Sequence, residues 1–299
     1  MAKRFRYLLL SLLAMIIMSG TKADAMINDE REDKQNLLIL LLSYPEYITD
    51  VERGNDGYIY IVMSDGTKII YDDKKEKNSE EVFYKPDIQD GLDIKYPLEK
   101  ITAVYDKDPG RLRNYALLNA VYGKNKGEIE KNLINVSTMY GNILFNKQNK
   151  AAVMLKKSLD QIYEEAKKNN NIGQYVYPIS GTFNYRVIQD TGMLSPHAYA
   201  LAIDLNRNDA DYWKWVDEEK GSKRIAEYPA EIVRIFEENG FVWGGKWKHF
   251  DILHFEYKPE IILKAKYFGD KDRSGDWYEG APNDEDTMQK IEKIEKVFS

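Results

Sequence analysis

The apolar positions of this chain change their spacing along its length, and each change predicts a different element. Near the start, "YLLLSLLAMIIM" is an apolar run, interrupted only by Ser11, of signal-peptide length and too short for a comfortable membrane span. Basic "MAKRFR" precedes it and "SGTKADA" follows it. The pattern predicts a signal peptide over residues 1–25, cleaved after Ala25, with an uncleaved N-terminal anchor as the alternative. Both place the body of the protein outside the cytoplasm, in the periplasm, envelope or medium. No later run is apolar enough to predict a span, so none is expected after cleavage.

Beyond residue 26, "NLLILLLSYPEYI" predicts a short helix ended near Pro45. In "DGYIYIVMSDGTKIIYDD", β-branched and aromatic residues flank "SDGT", which predicts a β-hairpin. The charge run "DKKEKNSEE" reads as a solvated loop, and Pro86, Pro97 and Pro109 keep residues 84–112 irregular. "DKDPGRLR" reads as a turn leading into a helix over "RLRNYALLNAVYG" that stops at Gly123. "KGEIEKNLINVSTMYG" predicts a second helix. "AAVMLKKSLDQIYEEAKKNNN" predicts the clearest one, with Leu155, Leu159, Ile162 and Tyr163 on one face. From Tyr175 to Tyr257 the runs become short, β-like and rich in aromatics. One amphipathic helix, "YPAEIVRIFEENG", interrupts them and ends at Gly240. The tail "GAPNDEDTMQKIEKIEKVFS" predicts a loose helix. The expected class is α+β, with a mostly helical, hairpin-bearing extension over 26–150, a second unit over 151–270 and a tail over 271–299.

Composition narrows the chemistry. Apolar residues make up 43% and charged residues 31%, which supports a folded core. A net charge of −6 argues against nucleic acid as a partner. The chain has no cysteine, so disulfides, thiolate chemistry and a lipoprotein anchor are all excluded.

Histidine is scarce, and His197, His249 and His254 all fall in the β-like region. His197 and Asp204 bracket "SPHAYALAIDLN"; Asp251, His254 and Glu256 cluster in "GGKWKHFDILHFEYKPE". A catalytic zinc takes about three imidazole or carboxylate ligands and keeps one position for water. His197, Asp204 and His254 offer two nitrogens and one oxygen, and Asp251 would remain as a base for that water. The bland alternative for each histidine is a satisfied structural role. The spacings of seven and three are odd. A strand alternates its faces, so the chain must turn or bulge between partners.

"SGTFNYRVIQDTGMLSPHAYALAIDLN" followed by "FVWGGKWKHFDILHFEYKPE" resembles the zinc D-alanyl-D-alanine carboxypeptidase and L-alanyl-D-glutamate peptidase family. That family includes the vancomycin-resistance D,D-peptidases and several phage endolysins. Its signature is Ser-x-His-x-x-Gly-x-Ala-x-Asp, then Glu or Asp three residues before a final His. Ser195, His197, Ala202, Asp204, Asp251 and His254 match. The glycine position holds Ala200, and alanine resists positive φ. The resemblance covers residues 180–260, and "DPGRLR" upstream is similar to exported members.

The resemblance implies a small antiparallel sheet with flanking helices, carrying zinc on His197, Asp204 and His254. It implies Asp251 as general base and Arg186 as the cation for the developing oxyanion, unless Arg186 only pairs with Asp190 or Asp204. Stem peptides of peptidoglycan are the implied substrate. Ser195 caps the following segment or meets substrate; His249 packs or lines the cleft; Glu256 orients a ligand histidine. Trp243, Trp247 and Tyr257 are core residues or a substrate platform, with "WGGKW" as the expected cleft wall. Trp213 and Trp215 are expected to pack at the surface. The competing readings are a metal-free cell-wall binding module and a purely structural envelope protein.

Overall fold

The computed structural model describes residues 30–169, 171–189, 191–269 and 275–299. The expected signal segment and Asp190 lie outside them. Residues 30–43 form helix α1, whose Leu37, Leu38, Ile39, Leu40 and Leu41 are all buried. The hairpin around "SDGT" is β2 (Ile59–Met63) with β3 (Lys68–Ile70), preceded by β1 (Ile48–Arg53). The three pair antiparallel in that order. Gly66, at φ 81°, lets the chain reverse between β2 and β3. Strand β1 was not foreseen, because its polar residues carry no clean alternation.

Two short helices follow, α2 (Ser79–Tyr84) and α3 (Ile88–Leu92), each opened by a reciprocal capping box at Asn78 and Asp87. Helix α4 (Tyr115–Tyr122) is capped by Asn114 and stops at Gly123, as its spacing predicts. The next expectation needs correction. Residues 126–141 hold a short helix, α5 (Lys126–Lys131), and then strand β4 (Leu133–Thr138) paired with β5 (Gly141–Asn146). The β-branched "INVST" fits a pleated surface better than a helix, and Gly141 at φ 109° allows the tight turn. Helix α6 (Ala151–Lys168) buries Leu155, Leu159 and Ile162, and one-turn helix α7 (Gly173–Val176) follows.

The second half is an α+β unit. Its sheet, in the order β6 (Ala202–Asp204), β8 (His254–Tyr257), β7 (Phe241–Trp243), is antiparallel throughout. Helices α8 (Glu218–Glu227) and α9 (Ala230–Glu238) lie between β6 and β7 in the chain, and Gly240 ends the segment at φ 85°. Phe236 of α9 stacks on Phe255 of β8 with centroids 4.2 Å apart. Helix α10 (Pro259–Phe268) follows β8 directly. The tail helix α11 (Glu285–Phe298) is docked rather than loose: Ile291, Ile294 and Val297 are buried, and Arg53 Nε of β1 donates to Val297 O at 3.0 Å. Among the described residues no helix is long and apolar enough to cross a membrane.

Candidate metal centre

Strand register brings the two distant motifs together. In the β6–β8 pair Asp204 stands directly opposite His254, and Ala202 opposite Glu256. Period-two alternation then puts Asp204, His254 and Glu256 on one face. His197 arrives by a turn. Residues Pro196–Tyr199 form a single 3-10 turn, capped by the Ser195 hydroxyl, which accepts from His197 N at 3.3 Å. Ala200 then adopts φ 53°, ψ 47°, the left-handed conformation for which the family's glycine is suited. That residue reverses the chain and resolves the odd spacing from His197 to Asp204.

The three side chains meet at single atoms. His197 Nε2 lies 3.3 Å from His254 Nδ1 and 3.2 Å from Asp204 Oδ1, and His254 Nδ1 lies 2.8 Å from the same oxygen. Donors about 2.0–2.1 Å from one tetrahedral zinc stand roughly 3.3 Å apart, so these edges fit a common ion closely. The remaining ring nitrogens are held from behind. His197 Nδ1–H donates to the carbonyl oxygen of Thr182 at 2.7 Å, which fixes the ring with Nε2 turned toward the cluster. His254 Nε2 faces Glu256 Oε2 at 3.8 Å, an electrostatic contact. Glu256 is itself gripped by Arg113, with Nε to Oε1 at 2.9 Å and Nη2 to Oε2 at 2.5 Å.

These contacts set the charge states of the metal-free cluster. Burial opposes charge on Asp204, but hydrogen bonds from His197 and His254 hold its carboxyl well below the ordinary range. Burial likewise opposes charge on Glu256, and the Arg113 guanidinium outweighs it and holds that carboxyl low. Burial would lower His254, yet Asp204 and then Glu256 raise it to about 10. Asp251 moves the other way: burial pushes it up to about 6, with His254 pulling down and Asp204 pushing up.

At neutral pH the metal-free His254 therefore keeps a proton that an incoming ion must displace. Zinc affinity is expected to rise by at least about tenfold per pH unit between pH 6 and 7.5, since His254 must give up its proton to each ion bound. Competition titrations against a chromophoric chelator at several pH values would check the slope. Without metal, the same shift stabilises the fold fully below the ordinary histidine pKa of 6.5, and that stabilisation is lost as pH rises through about 10.

The turn after β7 sets Asp251 within electrostatic reach of His254, Asp204 and His197. Asp251 N donates to Gly244 O at 3.1 Å, and His254 N donates to Asp251 O at 3.1 Å. A Cβ on Gly244 would sit 2.4 Å from Asp251 O, and one on Gly245 would sit 2.3 Å from the Trp243 ring. The paired glycines thus let the chain approach itself, not a ligand. Gly244→Ala is expected to cost about 3 kcal/mol, at the upper end of overpacking penalties, because the clash is with backbone. Denaturant unfolding would measure it.

The other expected residues are placed as follows. Trp243 and Trp247 are 3% and 4% exposed. Their indole N–H groups donate to Ile252 O and Pro109 O, and Trp247 packs on the His254 ring at 5.6 Å. They are core supports for the site and present no open wall. Tyr257 is also buried. His249 stays outside the cluster: its Nδ1 pairs with Asp108 Oδ2 at 2.7 Å, and its ring meets Trp213 edge-on. Trp215 is half exposed beneath Arg207. Arg186 is exposed, and its backbone carbonyl accepts from Ser195 N. Thr182 and Arg113 were not anticipated. A second acidic group, Asp72, Asp73 and Asp87, is occupied by Lys77 Nζ, 3.0 Å from Asp73 and 2.7 Å from Asp87.

Residues 189–257 match the family model described as D-alanyl-D-alanine carboxypeptidase. The resemblance read from the sequence is thereby shown. The match takes in His197, Asp204, Asp251, His254 and Glu256, and leaves Arg186 and Arg113 outside. No curated protein and no solved structure matches the chain. The α+β architecture with its small antiparallel sheets is compatible with that family's fold.

Proposed function

We propose that this chain is an exported zinc peptidase that hydrolyses an amide bond of the peptidoglycan stem peptide, either as a D-Ala-D-Ala carboxypeptidase or as a related endopeptidase. What carries the reading is the convergence of His197 Nε2, His254 Nδ1 and Asp204 Oδ1 within 3.3 Å of one another, inside the segment that matches the family. Two imidazoles and a carboxylate suit zinc and keep a position open for water. Bound there, the ion would acidify that water and polarise the scissile carbonyl.

The protein's own groups do the rest. Asp251, pushed up to about 6 by burial in the metal-free protein, is ionised at neutral pH and would take a proton from water on a carboxylate oxygen and return it to the leaving amine. Thr182 O and Glu256 keep the two rings from turning away. Arg186 would supply positive charge to the oxyanion; its exposure leaves the guanidinium reach to move toward a bound substrate.

Mass spectrometry of muropeptides incubated with the zinc-loaded protein tests the reading. Loss of a terminal D-Ala, or scission within the stem, that stops with chelator and returns with zinc is the expected result. Protein that takes up no zinc and releases no product, yet retains stem peptides, would be the metal-free cell-wall binding module instead.

A further inference from the structure

The segment 107–113, "KDPGRLR", lies far from the family-matched residues in sequence but against them in space. Its contacts run almost residue by residue. Lys107 O accepts from Lys248 N at 2.7 Å. Asp108 holds His249 through its backbone N–H at 3.0 Å and its ring Nδ1 at 2.7 Å. Pro109 O accepts from the Trp247 indole at 2.9 Å. Gly110 O and Leu112 O both accept from the buried Lys258 ammonium, at 2.9 and 2.5 Å. Arg113 closes the series with its two-pronged grip on Glu256. Gly110 is at φ 73°, and a Cβ there would meet Val242 and Ile261 at 3.2 Å, so the strap presses directly on the sheet and α10.

We propose that this strap belongs to the metal-binding unit, and that Arg113 is a positioning residue that fixes His254 through Glu256. The inference rests on the zinc reading above. Its physical content is a relay. Glu256 is 2% exposed and stands two residues from His254 on the same strand face. A lone carboxylate there would be free to rotate. The planar fork of Arg113 engages both of its oxygens, which fixes the plane of the carboxylate. Oε2 is thereby held opposite His254 Nε2, and the ring presents Nδ1 to the cluster. Carboxylates behind ligand histidines orient the ring and raise its basicity. Here the carboxylate is steadied in turn by a residue 143 positions away.

The test uses the full chain, stripped of metal and titrated with zinc against a chromophoric chelator, with the melting temperature of the metal-free protein measured alongside. Arg113→Met and Glu256→Gln are each expected to weaken zinc binding about 10–100-fold. The double variant should be no weaker than the worse single one, because both changes act through one contact. Arg113→Lys should recover part of the loss, since an ammonium keeps the charge but not the fork. Zinc binding that is unchanged or tighter in the single variants, whatever happens to their melting temperatures, overturns the inference. If Arg113→Met does not fold, Glu256→Gln and Arg113→Lys decide by the same criterion. Wild-type protein that binds no zinc removes the metallopeptidase reading and this inference together; wild-type binding with unaffected variants removes only the inference.

Discussion

Asp251→Asn is expected to slow peptide hydrolysis by about 10²–10⁴-fold, the usual worth of a general base. Zinc should stay bound. Asparagine has nearly the same shape and leaves the Gly244–Asp251–His254 backbone bonds in place, and none of the three donor side chains is touched. What is lost is the ability to accept a proton. The burial that pushes Asp251 up to about 6 also predicts a pH signature. At saturating zinc the wild-type rate should fall as the carboxylate becomes protonated, at or below about pH 6, since a nearby cation can only lower that value. The variant should lack this acid limb. Rates from pH 4.5 to 8, with zinc content measured at each pH, would check both parts. A variant that retains wild-type turnover would mean that another group removes the proton.

His197→Ala is expected to weaken zinc binding by more than the about 10–100-fold that follows loss of a group behind a ligand, because it removes a donor atom itself. The change also orphans Thr182 O and takes one hydrogen bond from Asp204. The lost hydrogen bond to this part-buried carbonyl is worth about 0.5–1.5 kcal/mol, so the metal-free variant should melt lower than the wild type. Thermal melts with and without zinc separate the two effects. An ion that binds only the folded state adds about 2.7 kcal/mol at a hundred times its dissociation constant. The wild type should therefore melt higher with zinc, while His197→Ala should not respond at the same concentration. If zinc leaves the wild-type melt unmoved and the variant is merely less stable, His197 is a structural histidine and the hydrolase reading falls.

Much of the secondary structure was legible because it is local. The helix 151–168, the stop at Gly123, the hairpin around Gly66 and the helix before Gly240 follow from apolar spacing and from glycines that reach positive φ. The stretch 126–141 was misread as one helix. Its charged first half is helical, but its second half takes its conformation from β5 across the hairpin, and a cross-strand partner leaves little trace in a single strand's spacing. The tail read as loose because its apolar stripe has meaning only once β1 is there to receive it.

The sequence by itself determined which residues have the chemistry: three histidines, the carboxylates beside them, no cysteine, and a two-part motif resembling one family of peptidases. Residue type and short-range spacing carry that information, since imidazole and carboxylate can ligate a metal wherever they stand. Only the tertiary structure decided that they meet. The Asp204–His254 register, the left-handed turn at Ala200, and Thr182 behind His197 are long-range or conformational facts. The tertiary structure also turned "WGGKW" from an expected cleft wall into buried support, because Gly244 is needed against the Asp251 carbonyl and both indoles are spent on backbone carbonyls. Arg113 shows the limit most clearly. A cation in a proline- and glycine-bearing turn gives no sign of its partner, and Glu256 becomes that partner only when the strap folds against β8.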